Sequence, residues 1–330
     1  MSAFTRASLA AAIVASTVYL AGGPAAAFEP QNVECIAPAN PGGGWDFTCR
    51  QAGKALYEMG KTPGPVQVSN KAGGGGAVAY AEVVSKRNSE NNLIVAASTA
   101  TTTRLAQGQF AGLTADQVRW LGALGADYGV IGVSKDSPYK SLGELMAALK
   151  EDPSKISIAG GSAVGGWDHL KVLIAAKAAG IDEVRTIKYI AFQGGGEAVT
   201  QLVGGHVQAF TGDISEALGF MESGDLRVLA VLAPERLPGN LSDIPTAKEQ
   251  GIDAVGANWR GFYGPGGMTD EAYAYWSQAL EELYASDAWQ KIMADNGVMP
   301  FGLSGPELQG FVDAQIVEIQ EISREIGLIK

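Results

Sequence analysis

PGGGWD, residues 41–46, joins a short apolar run over 33–37 to an amphipathic segment over 45–58. Three successive glycines cost backbone entropy that neither a helix nor a strand repays, so they mark a turn whose bare backbone lies close to another group. A shortened copy, GGWD at 165–168, stands between a second apolar run, 156–159, and a helical pattern over 166–179. A strand, a glycine turn and a helix written twice in one chain point to two α/β units.

Around the first copy, 66–69 reads as a strand, 77–85 as a helix and 93–97 as a strand, which completes βαβαβ. Around the second, 129–133 is a strand, and the capping box Ser141-Leu142-Gly143-Glu144 opens a helix to about Lys150. Strands at 156–159, 186–190, 207–211 and 228–232 then alternate with helices at 166–179, 196–203 and 215–222. Helices of about ten residues between strands predict a mainly parallel sheet flanked by helices in each lobe. The remainder is helical over 273–285, 289–294 and 306–326, with one strand at 259–263. That is too little for a third lobe, so it is expected to return over the first. The expected lobes are 28–127 with 234–330, and 128–233. Two crossings, near 125–129 and 233–256, would form a hinge that allows closure on a ligand.

Residues 1–27 carry one charge, Arg6, then an apolar run over 7–21, and end on Ala25-Ala26-Ala27. This is the pattern of a cleaved secretory signal peptide; a retained membrane anchor is the alternative, but the run is short for a bilayer and ends in Gly-Gly-Pro. Removing 27 of the 330 residues leaves 303, enough for two cores, and takes the net charge from −11 to −12. With no basic run, nucleic acid and anionic lipid are poor partners. An anionic ligand would have to be recognised by local dipoles and donors, not by net charge.

Cys35 falls in the first strand and Cys49 about one turn into the next helix, so a bridge is geometrically open to them in an oxidising compartment; two separate buried thiols are the alternative. Two cysteines and two histidines, His169 and His206, without clustered spacing predict no metal site. No cofactor is expected either. Gly74-Gly75-Gly76-Ala77-Val78-Ala79 fits G-x-G-x-x-A, but at the second strand-to-helix turn rather than the first, and no G-K-[ST] phosphate loop or G-x-S-x-G elbow is present. Tyr273, Tyr275 and Trp276 stand at core spacing on a helix.

In open α/β sheets ligands bind beyond the carboxyl ends of the strands. The glycine loops of 41–46 and 160–168 lie there, each with a helix N-terminus that favours an anion; a plain capped turn with the tryptophan in the core is the competing reading. Ser98-Thr99-Ala100-Thr101-Thr102-Thr103 adds neutral donors; simple N-capping by one of these hydroxyls is the competing reading. Gln193-Gly194-Gly195-Gly196 and Thr211-Gly212-Asp213 occupy the corresponding ends in the second lobe. Asp213 would repel a carboxylate, so facing the cleft it should accept from a hydroxyl, a water or a protonated acid. His169 is either a ligand contact or a packed side chain.

ECIAPANPGGGWDFTCR (34–50), NKAGGGGAVAYAEV (70–83), GGSAVGGWDHLK (160–171) and FQGGGEAVTQLVGGHVQAFTGD (192–213) together closely resemble the extracytoplasmic solute receptors of tripartite tricarboxylate transporters, the Bug-type receptors. The resemblance runs in the same order through the whole chain after residue 27. It implies a two-lobed periplasmic binding protein of the Venus-flytrap kind (type 2), monomeric, that hands a small carboxylate to two membrane subunits. It also places ligand contacts at Gly42, Gly43, Gly44, Trp45 and Asp46, at Ser162, Ala163, Gly165, Gly166, Trp167 and Asp168, and at Ser98, Thr99, Thr101 and Thr102, with Gly195 and Asp213 alongside. Many relatives have Thr-Asp where this chain has Trp45-Asp46; the Trp-Asp version with a nearby cysteine resembles the tricarboxylate branch and points to a citrate-like di- or tricarboxylate. A sensor for a membrane signalling protein, or a hydrolase or lyase on the same scaffold, are the rival readings.

Overall fold

The computed structural model describes residues 28–330; the expected signal peptide and its cleavage near Ala27 lie outside the described residues. Strand and helix alternate through β1 (Glu34–Ala37), α1 (Gly44–Glu58), β2 (Gln67–Asn70), α2 (Ala77–Lys86), β3 (Leu93–Ser98), α3 (Thr99–Ala106) and β4 (Val118–Ser134). Next come α4 (Leu142–Glu151), β5 (Ser157–Gly160), α5 (Trp167–Ala178), β6 (Lys188–Ala191), α6 (Gly195–Val203), β7 (Ala209–Asp213), α7 (Ile214–Glu222) and β8 (Leu226–Val231). The chain ends with β9 (Ala257–Pro265), α8 (Asp270–Ala285), α9 (Asp287–Asp295), β10 (Met299–Ser304) and α10 (Gly305–Glu325).

Two sheets result, and β4 belongs to both. In the first, β2, β1 and β3 are parallel, while β9 runs antiparallel to β3 and β4, and β10 antiparallel to β4. In the second, β6, β5 and β7 are parallel, and the end of β4 inserts antiparallel between β7 and β8. The helix-linked strands are therefore parallel as expected, but the strands that cross or return make each sheet mixed. Both faces of each sheet are covered. Along β3, Ile94 and Ala96 enter one apolar cluster and Leu93, Val95 and Ala97 another, which is why these runs are apolar without alternation. The Tyr273, Tyr275 and Trp276 group packs in the first of these, with the Trp276 indole donating to the Asn91 carbonyl at 2.8 Å.

The waist between the sheets is narrow. Gly129 donates its N–H to Gly256 O at 2.8 Å and accepts from Leu232 N–H at 2.7 Å, while Gly256 N–H donates to Leu232 O at 2.8 Å. The side chain of Lys171 threads this waist: a Cβ on Gly129 would lie 2.4 Å from its Cδ, and one on Gly256 2.9 Å from its Cγ. Only hydrogen fits at these two positions.

Three expectations need correction. The return to the first sheet comes at about 256 instead of 234, because Leu237, Leu241 and Ile244, and then Ala247, Ile252 and Ala254, are buried in the second unit's clusters. Besides the two strand crossings, α10 bridges the units: Leu308 and Val312 pack on the first, Ile319 and Ile326 on the second. The hydroxyl run after β3 is a helix, since Ser98 Oγ accepts from Ala100 N–H while Ser98 N–H donates to Thr101 Oγ1.

Cys35 and Cys49 are bridged, with Cα atoms 5.8 Å apart, tying β1 to α1 directly beneath the PGGGWD turn. Closing a loop of this length constrains the unfolded chain. The double substitution Cys35→Ser/Cys49→Ser should lower unfolding free energy by about 3 kcal/mol, read from urea titrations of the two proteins; coincident curves would mean the bridge contributes nothing.

Candidate functional site

The two glycine turns have the same backbone course, but not in the register that their spelling suggests. Gly42 (φ +83°) and Gly165 (φ +79°) take the left-handed region, and the residues after them, Gly43 and Gly166, are the extended N-caps of α1 and α5. Residues 42–46 therefore correspond to 165–169, one position out of step with the shared GGWD. Asp46 Oδ2 accepts the Gly42 N–H at 3.0 Å, and its counterpart is His169, whose Nδ1 accepts the Gly165 N–H at 3.0 Å. His169 is thus a packed brace, stacked on Tyr189 with centroids 4.5 Å apart, and burial holds its pKa down to about 4. Because a helix turns about 100° per residue, the slip also separates the partners of the motif. Trp45 lines the cleft and donates to Ser98 Oγ at 3.1 Å, whereas Trp167 is buried in the core; Asp168 lines the cleft, whereas Asp46 turns outward to Asn70 and Arg50.

The first turn faces the loop before α6 across the cleft. A Cβ on Gly43 would meet Gly194 Cα at 3.2 Å, and Asn40 N–H donates to Gln193 O at 3.0 Å. Gly44 and Gly195 begin α1 and α6, one from each unit, and both donate their N–H to the same oxygen, Glu216 Oε1, at 2.8 and 3.2 Å. Asp213 N–H donates to Oε2 at 3.1 Å. An anion seat exists at the N-termini of α1 and α6, instead of at α1 and α5 where the two glycine turns predict it, and the carboxylate in it is the protein's own.

Behind Glu216 lies a cluster of charges. Arg260 Nη2 pairs with Asp127 at 2.9 Å and Asp213 at 2.7 Å, and Lys171 Nζ with Asp168 at 2.8 Å, Asp213 at 2.7 Å and the Gly212 carbonyl at 2.7 Å. Asn258 Nδ2 donates to Asp213 Oδ2 at 2.6 Å. Burial works against the Lys171 ammonium, but Asp168 and Asp213 more than offset it and raise its pKa. Asp213 bonds to both cations and is held low in spite of burial. Burial, with Asp213 nearby, pushes Asp127 up to about 6 against the pull of Arg260. Burial and the charges of Asp213 and Asp168 push the half-buried Glu216 up to about 7.

Arg104, Asn258 and Arg260 on the cleft wall each carry a polar atom without a partner among the described residues, the last at its Nε. Arg104, 8% exposed, pairs with no carboxylate there; its guanidinium donates to the Val164 carbonyl at 3.1 Å, its Nε is unpartnered, and burial lowers its pKa. Asn258, 4% exposed, has an unpartnered Oδ1; because its amide nitrogen must face the acceptor Asp213, that orientation is fixed.

Of the residues anticipated at a ligand, Gly44, Trp45, Ser98, Ser162, Ala163, Gly166, Asp168 and Asp213 line this cleft. The others do not. Gly42, Gly43, Asp46 and Gly165 shape the turns, Trp167 is core, and Gly195 faces Glu216. Thr99 bonds to Ala257 O, Thr101 caps α3, and Thr102 donates to Gln315 at 2.6 Å. The sequence reading passed over Arg104, Lys171, Glu216, Asn258 and Arg260. The available signal was a charge amid apolar neighbours, as in NWRGF around Arg260 and HLKVLI around Lys171.

A family model described as tripartite tricarboxylate transporter family receptor matches residues 49–328. A UPF0065 protein of Bordetella pertussis is 25% identical over 302 residues, covering 91% of each chain. Protein BugT of the same organism is 28% identical over 188 residues, 57% of this chain and 56% of its own. Among solved structures, periplasmic binding protein BugD superposes with a TM-score of 0.80 at 22% identity, covering 90% of this chain and 98% of its own. MatC from Rhodopseudomonas palustris with bound malate gives 0.77 at 20% identity, over 88% and 98%. These structures share the two-lobed periplasmic binding protein fold.

The titrations of Glu216 and His169 act in opposite directions over overlapping windows on the acid side of neutrality. Glu216 is raised from 4.5, so the stability that it contributes is complete below pH 4.5 and is lost as pH rises through 7, with Asp127 adding in the same direction up to about 6. His169 is lowered from 6.5, so its contribution is complete above 6.5 and is lost as pH falls through 4. The contribution to the melting temperature that wild type loses as pH rises from 4.5 to 7 should therefore be smaller in Glu216→Gln, and the one it loses as pH falls from 6.5 to 4 smaller in His169→Asn. Curves parallel to the wild type would refute the assigned shifts.

Proposed function

The chain belongs to the tripartite tricarboxylate transporter receptor family, and we propose that it captures a small organic acid in the periplasm and delivers it to the membrane subunits of such a transporter. Receptors of this family bind and release their cargo and are not enzymes. On this proposal the chain is exported with residues 1–27 removed and works as a monomer, its two units closing on the acid about the waist at 129 and 256.

The observation that carries the reading is Arg104. It is a buried cation on the cleft wall with no carboxylate partner among the described residues, flanked by the 162–166 turn. A buried charge without a counter-ion is costly, and a ligand carboxylate is the group that would relieve it. Ser98, Ser162 and the Trp45 ring complete a small wall of neutral donors and apolar surface suited to the rest of an acid. The malate of MatC and the adipate of a second R. palustris protein with this fold make small acids the natural first candidates. A citrate-like tricarboxylate fits the charges less well. Asp127, Asp168 and Asp213 already pair with Arg260 and Lys171, and Glu216 lines the same cleft, so among the described residues Arg104 is the cation of the cleft wall left to neutralise.

Arg104→Met should weaken the best-bound acid by about 100-fold, the cost of leaving a buried carboxylate unpaired. The ligand-free melting temperature should not fall, because an uncompensated buried charge has been removed. Titration calorimetry and thermal shift against mono-, di- and tricarboxylic acids would measure both; unchanged affinity in Arg104→Met would remove this residue from the site.

A further inference from the structure

Glu216 fills the position in which a second ligand carboxylate would have to sit. The Gly44 and Gly195 N–H groups, the two main-chain donors that face each other across the cleft, are both engaged by its Oε1 at 2.8 and 3.2 Å. The wall around it is built of acceptors. Asp168 and Asp213 line the same cleft, and Asn258 presents an Oδ1 that has no donor among the described residues. Four carboxylates against Lys171 and Arg260 leave this side formally negative. Arg260 keeps an unpartnered Nε, but its charge is held between Asp127 and Asp213. The Arg104 side has the opposite character: it donates to the Val164 carbonyl and lies beside Gly165 and Gly75, and no hydrogen bond joins it to Glu216.

We propose that Glu216 sets the class of cargo, so that the cleft takes a small acid with one carboxylate, received at Arg104, and a hydrogen-bond-donor head, an ammonium or hydroxyl, received by Glu216, Asp168 and Asn258. The proposal rests on the reading of the cleft as a carboxylate site. It requires two poles, and the residues supply them. A second carboxylate would be placed against like charges with its main-chain donors already occupied, a juxtaposition that costs several-fold to many-fold in affinity. An ammonium or hydroxyl meets acceptors that have capacity to spare.

The test uses the full chain without residues 1–27 and three acids of equal length, 4-aminobutanoate, 4-hydroxybutanoate and succinate, with citrate as a fourth. Wild type should prefer an acid with a donor head over succinate by about 100-fold or more. Glu216→Ala frees the Gly44 and Gly195 donors and should reverse the order, while Glu216→Gln, which keeps the shape, should bring the acids within about tenfold of each other and serves if the alanine variant does not fold. Succinate or citrate bound by wild type as tightly as the donor-headed acids, or the same ratio in the Glu216 variants, would overturn the proposal. If binding in those cases still depends on Arg104, the receptor reading survives and only the role of Glu216 falls. If none of the four acids binds wild type, both fall.

Discussion

Burial of ionisable side chains at one waist is the constraint to which the rest of the molecule conforms. Lys171, Arg260, Asp127, Asp168 and Asp213 are almost fully removed from solvent, and each is acceptable only because the others are in place. Losing one partner of such a set leaves an uncompensated charge at a cost of about 3–5 kcal/mol. The backbone follows the same demand: bare glycines at 129 and 256 admit the Lys171 stem, and the guanidinium of Arg260 lies where a Cβ on Gly44 would be, 2.1 Å from its Nη1. The glycine turn is therefore shaped as much by a neighbouring side chain as by any ligand.

The same network joins the two units. Arg260 stands on β9 in the first sheet and Asp213 at the end of β7 in the second, with Asp127 on the strand that belongs to both. Glu216, on α7, reaches Gly44 on α1. Were the units to part as the proposed function requires, at least the Gly44–Glu216 and Asn40–Gln193 bonds would meet water, where each is worth less than in the arrangement described here. On the proposed function, internal groups favour the closed form, and a cargo would contribute what those groups leave unsatisfied, chiefly at Arg104 and Asn258.

Much of the architecture was legible because it is written locally. Apolar runs of strand length, glycine turns and amphipathic helices gave two α/β units, and the place of the cleft followed from where the glycine turns stand relative to the strands. The chemistry of the cleft was not legible in the same way. Arg260 meets Asp127 and Asp213 across separations of 133 and 47 residues, and nothing in periodicity pairs them. The threonine run misled for a different reason. Threonine is a poor helix former, yet Thr99, Thr102 and Thr103 bond to carbonyls and to Gln315, so tertiary contacts override the propensity and use up the hydroxyls. β4 was foreshortened because its glycines and Asp127 break an apolar pattern that in fact runs through two sheets.

The repeated GGWD carries the sharpest lesson about motifs. Two identical tetrapeptides sit after a strand and before a helix, and the natural inference gives them identical tasks. The backbone does not, because the left-handed glycine is Gly42 in one and Gly165 in the other, one residue apart in the shared spelling. A slip of one residue rotates each following side chain by about 100° about its helix. That suffices to send one tryptophan to the cleft and the other to the core, and to turn one aspartate toward Arg50 and the other toward Lys171. The equivalence that survives is one of function at the backbone: an acceptor four residues beyond the turning glycine, carboxylate in Asp46 and imidazole in His169, catches its N–H. Physical register, set by φ and by the cap, decides what a repeated motif does, and letters alone do not.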